Sequence, residues 1–326
     1  MSLLHISGSP HVHTNDSVKK IMWTVVIALI PAMVFSFIYY GIDAVRVTLI
    51  SVAACVVAEW FFQRFFLKEK STISDGSAVI TGMLLAFNVP SNLSWWIILI
   101  GALIAIGVSK MAFGGLGKNV FNPALVGRVF LLISFPQQMT SWTLPSQGFM
   151  NVDAATGATP LAVIKSAMNA GEKPTELLDK LPTYAQLLIG ERGGSIGEIA
   201  ALAIIAGGIL LLIRKIISWH IPVTFIGTVF LFSAILHLYN PDLYITPEFH
   251  ILTGGLLLGA VFMATDMVTS PMSGKGKIIF GIGCGLLTIL IRVWGNYPEG
   301  VSFAILIMNA FVPLINKGLK PKRFGQ

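Results

Sequence analysis

The residues whose types and spacing best suit chemistry lie in one run, Asp153-Ala154-Ala155-Thr156-Gly157-Ala158-Thr159-Pro160. It holds no aromatic, no bulky apolar side chain and no Lys or Arg. Two unhindered hydroxyls, on Thr156 and Thr159, are therefore available as group acceptors for a second protein. Thr159-Pro160 followed by Leu161-Ala-Val-Ile-Lys165 also reads as a helix start, with Thr as the N-cap and Pro at the first helical position. The cap explains those two residues. It leaves the run from Asp153 unexplained.

The elements that must position this run are membrane elements. Of 326 residues, 55% are hydrophobic and 11% charged, and the mean hydropathy is +0.79. A soluble domain carries about 25% charged residues. The net charge of +7 would suggest nucleic acid in a soluble chain. Here the basic residues gather at span ends, as topology requires, so no nucleic-acid partner is expected. Cys55 and Cys284 fall in apolar spans and form neither a metal cluster nor an obvious disulfide. His5, His11 and His13 belong to a polar N-terminal segment, are poorly spaced for a metal, and read as a solvated tail; no metal site is expected.

A membrane helix needs about 20 apolar residues, fewer where it is broken. Ten candidate spans follow: 21–40, 44–62, 77–89, 93–108, 120–135, 198–213, 221–238, 251–267, 278–291 and 301–315. Residues 1–20 and 317–326 become terminal segments, 21–135 and 198–316 two membrane units, and 136–197 a long loop carrying the run. Ile80-Thr-Gly-Met-Leu-Leu85 echoes Leu252-Thr-Gly-Gly-Leu-Leu257, each opening a short glycine-bearing span. Five spans is an odd number, so a second copy inserts upside down. The fold expected is all-α and polytopic, about ten transmembrane helices in two inverted five-helix repeats, an arrangement that in transport folds places the site at broken helices near the repeat interface.

Orientation follows from charge. With a cytoplasmic N-terminus, the inside segments hold Lys19, Lys20, Arg64, Lys68, Lys70, Lys110, Lys118, Arg214, Lys215, Lys275, Lys277, Lys317, Lys320, Lys322 and Arg323. The short outside turns hold only Arg46 and Arg292. Both termini are expected in the cytoplasm and Thr159 outside.

Ionisable groups inside spans are functional candidates because burying them is costly. Glu59 reads either as the partner of a neighbouring helix or as part of an ion path. Arg128, within Phe121-Asn-Pro-Ala-Leu-Val-Gly-Arg128, is a structural counter-ion or a holder of phosphate or flavin oxygens, which its planar fork suits. Asp75 and Asp266 flank the two echoed spans, where capping and ion or cofactor contact serve equally well. The chain has no Walker loop, Rossmann fingerprint, haem-attachment motif or Cys cluster, so if it is a redox protein, NADH oxidation and iron–sulfur transfer belong to other chains.

The run Asp153–Thr159 resembles the flavinylation signature of bacterial respiratory subunits: Asp, small, any, Ser/Thr, Gly, Ala, Thr. Asp153, Ala154, Thr156, Gly157, Ala158 and Thr159 match its defined positions. Together with Ser7-Gly-Ser-Pro-His11, Asp75-Gly-Ser-Ala-Val-Ile-Thr-Gly82, Gly117-Lys-Asn-Val-Phe-Asn-Pro-Ala124 and Ala264-Thr-Asp-Met-Val-Thr-Ser-Pro271, it makes the chain resemble the RnfD/NqrB family nearly end to end. The short N-terminal segment favours the Rnf branch, whose complexes pass electrons between ferredoxin and NAD+. The resemblance implies a urea-transporter-like fold, FMN joined through its phosphate to Thr159 by a flavin transferase on the outer side of the bacterial inner membrane, and coupling to Na+ or H+ movement. It also implies a second, non-covalent flavin such as riboflavin, other Rnf subunits as partners (the RnfG-type FMN subunit above all), and contact with membrane lipids. Glu59, Asp75 and Asp266 become ion-pathway candidates. A solute channel without redox chemistry is the alternative, though it has no use for the Asp153–Thr159 run.

A thiol label at position 159 is expected to react only from the outer side of intact cells. Reaction from the cytoplasmic side alone would overturn the charge argument.

Overall fold

The computed structural model describes residues 16–68, 71–145, 156–171, 173, 181–190, 192–199 and 201–320. Asp153 and Ala154 of the run, the histidines of the N-terminal segment, and Lys70, Lys322 and Arg323 lie outside the described residues.

Helix α1 runs Val18–Phe61 and starts at Ser17, whose side chain accepts from the Lys20 N–H. It is interrupted at Gly41, where φ is 59° and ψ −142°. Trp23 Nε1 donates to Ser74 O at 3.3 Å, and Gln63 Nε2 donates to Thr72 Oγ1 at 2.7 Å. A straight helix would hold Trp23 and Gln63 about 60 Å apart. The chain therefore doubles back at Gly41, where only glycine takes up the left-handed turn without cost. The expected division between 21–40 and 44–62 is the one observed. The ends of α1 near residues 72–76 define the basal end of the bundle; the turn at Gly41 marks the loop end.

Helices α2 (Ser77–Phe87), α3 (Trp95–Leu103, continued by a π-helical turn over Ile104–Met111) and α4 (Pro123–Ser134) follow. The loop region brings α5 (Pro136–Thr140), α6 (Pro160–Ala170) and α7 (Tyr184–Ile189). Next come α8 (Ala201–Ile213), α9 (His220–Tyr239), α10 (Pro247–Leu252), α11 (Leu256–Leu258, continued by a π turn over Gly259–Met263), α12 (Gly274–Trp294) and α13 (Val301–Gly318). Strands β1 (Trp142–Thr143) and β2 (Thr156–Gly157) pair antiparallel, so the all-α expectation gains a small ribbon. The ribbon lies on the run itself: Thr156 faces Thr143, and Gly157 faces Trp142.

Among the described residues, four segments are long and apolar enough to cross a membrane: Val18–Leu67, His220–Tyr239, Gly274–Trp294 and Val301–Gly318. Four shorter apolar helices lie at Ser77–Phe87, Trp95–Met111, Pro123–Ser134 and Ala201–Ile213. The 11 residues of α2 reach roughly 16 Å, about half of a 30 Å hydrocarbon core. The stretch expected as one span at 251–267 is broken instead, because Gly254 and Gly255 both have positive φ (69° and 53°). The chain is a multi-pass membrane protein, and its exposed apolar residues (Ile38, Leu49, Val57, Leu231 and Ile235 among them) face outward along the long helices.

Close helix contacts set the bundle. Gly82 packs its Cα against the backbone of Val52, and Ser51 Oγ donates to Gly82 O at 2.8 Å. Gly207 on α8 lets that helix approach the Ala28 carbonyl of α1 so closely that a Cβ would collide with it. Gly207→Val is expected to destabilise the protein by about 1–3 kcal/mol through overpacking. Gly227→Ala on α9, where a Cβ meets nothing within 4 Å, is expected to be neutral or slightly stabilising. Thermal unfolding in detergent distinguishes them; equal midpoints for the two variants would contradict the packing.

Candidate functional site: a loop-end threonine and a basal charge cluster

Thr159 is the N-cap of α6. Its Oγ1 accepts from Ala162 N at 3.2 Å, and Pro160 occupies the first helical position. The side chain is only 3% exposed, whereas Thr156 and Ala158 are exposed. Gly157 has Leu144 against it, 2.9 Å from where a Cβ would stand, so the glycine of the run cannot give way to a larger residue unless Leu144 moves. Helix α6 packs through Leu161 and Ile164 on Leu187, Ile245 and Phe249. Because Thr159 is covered and Thr156 is not, position 156 is the better place for a topology label.

Beneath α6 the loop end is held by guanidinium groups. Arg292 donates to the carbonyls of His250 (2.6 Å), Thr253 (2.9 Å) and Gly254 (2.9 Å). Arg192 donates to Leu252 O and, at 2.6 Å, to Glu198 O, with the Glu198 carboxylate 3.7 Å away. Lys165 of α6 donates to the carbonyls of Arg292 (3.1 Å) and Val293 (2.7 Å). Burial lowers the Lys165 ammonium from its ordinary range. Burial, and then the charge of Arg292, push His250 down to about 3, so it stays neutral. His250 Nδ1 and the Nε atoms of Arg192 and Arg292 are buried without a partner among the described residues. Positive charge and spare donors thus lie below the α6 N-terminus; Leu161 and the Arg292 guanidinium press on the same glycine, Gly254.

The Arg128 fork is occupied. It donates to Ser302 Oγ and to the Glu299 carboxylate, which is the geometry of a structural counter-ion. The basal end holds the other candidates. Glu59 (0% exposed) pairs with Lys110 (2% exposed) at 2.6 Å. Lys110 also donates to Ser77 Oγ at 2.7 Å, and Gln63 Nε2 to Glu59 Oε1 at 3.2 Å. Asp75 accepts from the Ser77 N–H and Oγ, both at 2.7 Å, just ahead of Gly76, the N-cap of α2. Asp266 accepts from Val268 N (3.3 Å) and Thr269 Oγ1 (3.0 Å), which closes a local turn. Lys110, Ser77, Asn119, Asn122, Thr265 and Asp266 share the wall of a cavity of about 90 Å³, room for several waters.

The structure brings Glu59, Asp75 and Asp266 to one end and leaves Thr159 and Arg128 at the other. Lys110, Glu299, Arg192 and Glu198 do not stand out in the sequence. Lys110 carries a signal, being the one charge in the apolar stretch from Trp95 to Phe113, but its place near a span end makes it look like a cytoplasmic loop charge. Arg292, which the sequence places in an outside turn, is a buried carbonyl clamp.

A family model described as NQR2, RnfD, RnfE family matches residues 5–325. The chain belongs to that family. It is 44% identical to a component of the proton-translocating ferredoxin:NAD(+) oxidoreductase complex of Clostridium ljungdahlii, over 99% of this chain and 97% of that one. It is 43% identical to the corresponding component of the Na(+)-translocating ferredoxin:NAD(+) oxidoreductase complex of Acetobacterium woodii, over 99% and 95%. A further family member, from the ion-translocating oxidoreductase complex of Escherichia coli O7:K1, is 36% identical over 99% of each chain. Two family members named for different ions stand at nearly the same identity, so similarity does not select the ion.

If Arg128 is a counter-ion, Arg128→Met is expected to cost about 3–5 kcal/mol by stranding Glu299, with most of it recovered in Arg128→Met/Glu299→Leu. Thermal unfolding of the purified complex measures both. A selective loss of electron transfer at unchanged stability would instead place Arg128 on a cofactor.

Proposed function

We propose that this chain is the RnfD-type membrane component of an ion-translocating ferredoxin:NAD+ oxidoreductase complex, carrying electrons through FMN joined by its phosphate to Thr159. The observation that carries the reading is the coincidence of the Asp153–Thr159 run with a helix N-cap in a chain that matches the family nearly end to end. The residues fit the group. A phosphate on Thr159 Oγ1 would stand at the first turn of α6, where the helix dipole favours an anion, with the Ala162 N–H already directed at Thr159 Oγ1. Arg292 and Lys165 supply positive charge below that turn. FMN takes one or two electrons and so links one-electron to two-electron partners. The chain's own part is to hold it on a short helix and to surround it with fixed charge.

Burial of Thr159 sets an order of events. A transferase needs the hydroxyl free, so it acts while residues 156–170 are undocked from Ile245 and Phe249, a local opening of modest cost for a small cluster. The same reading takes the fold as about ten spans in two inverted repeats with a urea-transporter-like plan, 21–135 and 198–316, flanking the loop 136–197. Supporting it, the short helix α2 ends at Asn88, whose Nδ2 lies 3.7 Å from Met263 Sδ at the end of the broken α11 segment. Both termini are cytoplasmic, the membrane is the bacterial inner membrane, and the loop faces the RnfG-type subunit. Riboflavin, the second flavin, has a candidate place in a neighbouring basal cavity of about 260 Å³ lined by Ile216, Ile217, Thr265 and Met267. Glu59, Asp75 and Asp266 lie on the ion path.

Co-expression with a flavin transferase and peptide mass spectrometry tests the assignment. Thr159→Ala is expected to abolish the FMN adduct and Thr156→Ser to retain it. An adduct mapped to Thr156, or none on the wild-type peptide, sinks it.

A further inference from the structure

A cation already occupies the basal cavity, and it belongs to the protein. Lys110 Nζ lies 2.6 Å from Glu59 Oε2 and 2.7 Å from Ser77 Oγ. An ammonium has three protons to donate; among the described residues the third finds no acceptor. Glu59 is held from its other side by Gln63, and Ser77 by Asp75. The oxygens are therefore fixed whether or not the ammonium stays.

The same cavity offers the ammonium somewhere else to go. Asp266 is in its wall and within electrostatic reach of Lys110, and among the described residues its carboxylate is engaged only by Val268 N and Thr269 Oγ1. Asn119, also in the wall, keeps Oδ1 buried and without a partner while its Nδ2 is fixed on Phe121 O at 3.2 Å. Lys110 rides on the π turn Ile104–Met111, and Asp266 closely follows the π turn Gly259–Met263. Such turns are loosened relative to α-helix and recur at functional sites.

We propose that Glu59 Oε2 and Ser77 Oγ form a site for a small monovalent cation of which Lys110 is the tethered occupant, exchanged for mobile Na+ as the ammonium swings toward Asp266 and Asn119. The exchange adds one charge to the cluster: two carboxylates share one ammonium before Na+ enters, and each has its own cation afterwards, with Lys110 paired with a carboxylate in both states. The arrangement gives ion entry a built-in competitor, so Glu59 is never left buried and bare. It rests on the reading of the chain as part of an ion translocase and adds the residue that makes uptake conditional.

The test uses the assembled complex and radiolabelled Na+ at equilibrium. Lys110→Met is expected to bind one additional Na+ per complex at least about tenfold more tightly than wild type does. Lys110→Arg, which keeps the charge, shows no gain, and Lys110→Met/Glu59→Gln loses it. Should Lys110→Met not assemble in choline, Na+ must restore assembly. No added Na+ binding in an assembled Lys110→Met complex, uptake of a proton alone, or failure to assemble in both salts overturns the proposal. If FMN still sits on Thr159 in that complex, the functional reading stands while this inference falls.

Discussion

Backbone carbonyls freed at a helix break have no water to turn to inside a membrane protein, and each costs several kcal/mol if left alone. The structure depends on how the break at Thr253-Gly254-Gly255 meets this demand. Arg292, from α12, covers the carbonyls of His250, Thr253 and Gly254; Arg192, from the loop region, covers Leu252. Two cations thus do what the next helical turn would have done. In return the break fixes where α12 and the 192–198 segment must lie. Tyr40 and Ser36 tie the turn of α1 to the same segment through Gly194 O and Ile196 O, at 2.8 and 2.6 Å.

The two ends of the bundle use buried charge differently. At the loop end the guanidinium groups are turned onto carbonyls, a carboxylate and a hydroxyl beneath α6 and its capping threonine, while the Nε atoms of Arg128, Arg192 and Arg292 have no partner among the described residues. At the basal end a single ammonium serves Glu59 and Ser77 beside a cavity that also holds Asp266 and an unsatisfied Asn119 oxygen. Incompletely satisfied buried networks are costly and need a reason. On the proposed function the reason is division of labour: the loop end holds the electron carrier still, and the basal end admits the ion.

Much of this is legible in the sequence. Composition announces a membrane chain, the polar interruption near residues 41–43 announces the reversal of α1, and Thr159-Pro160 announces the start of α6. Glu59 is visible as an acid among apolar residues, but its partner is not. Lys110 and Glu59 are 51 positions apart, and a lysine near a span end looks the same whether it points to water or inward. The break at Gly254-Gly255 passes for an ordinary short span because hydropathy averages over two glycines, while the sign of φ does not. The ribbon at Thr156-Gly157 has no signal, since two-residue strands are set by the partner they meet. That Thr159 is covered follows from the docking of Leu161 and Ile164 on Phe249, a contact between residues 80 or more positions apart.

The central claim is that electron transfer by the complex containing this chain drives an ion across the membrane. Purified complex reconstituted into liposomes, given reduced ferredoxin and NAD+, measures it directly, with NADH formation and lumenal Na+ and pH followed together. One of the two ions is expected to accumulate in step with NADH, and the redox rate to rise when an ionophore for that ion releases the gradient. NADH formed at full rate in sealed vesicles with neither ion accumulating would contradict it.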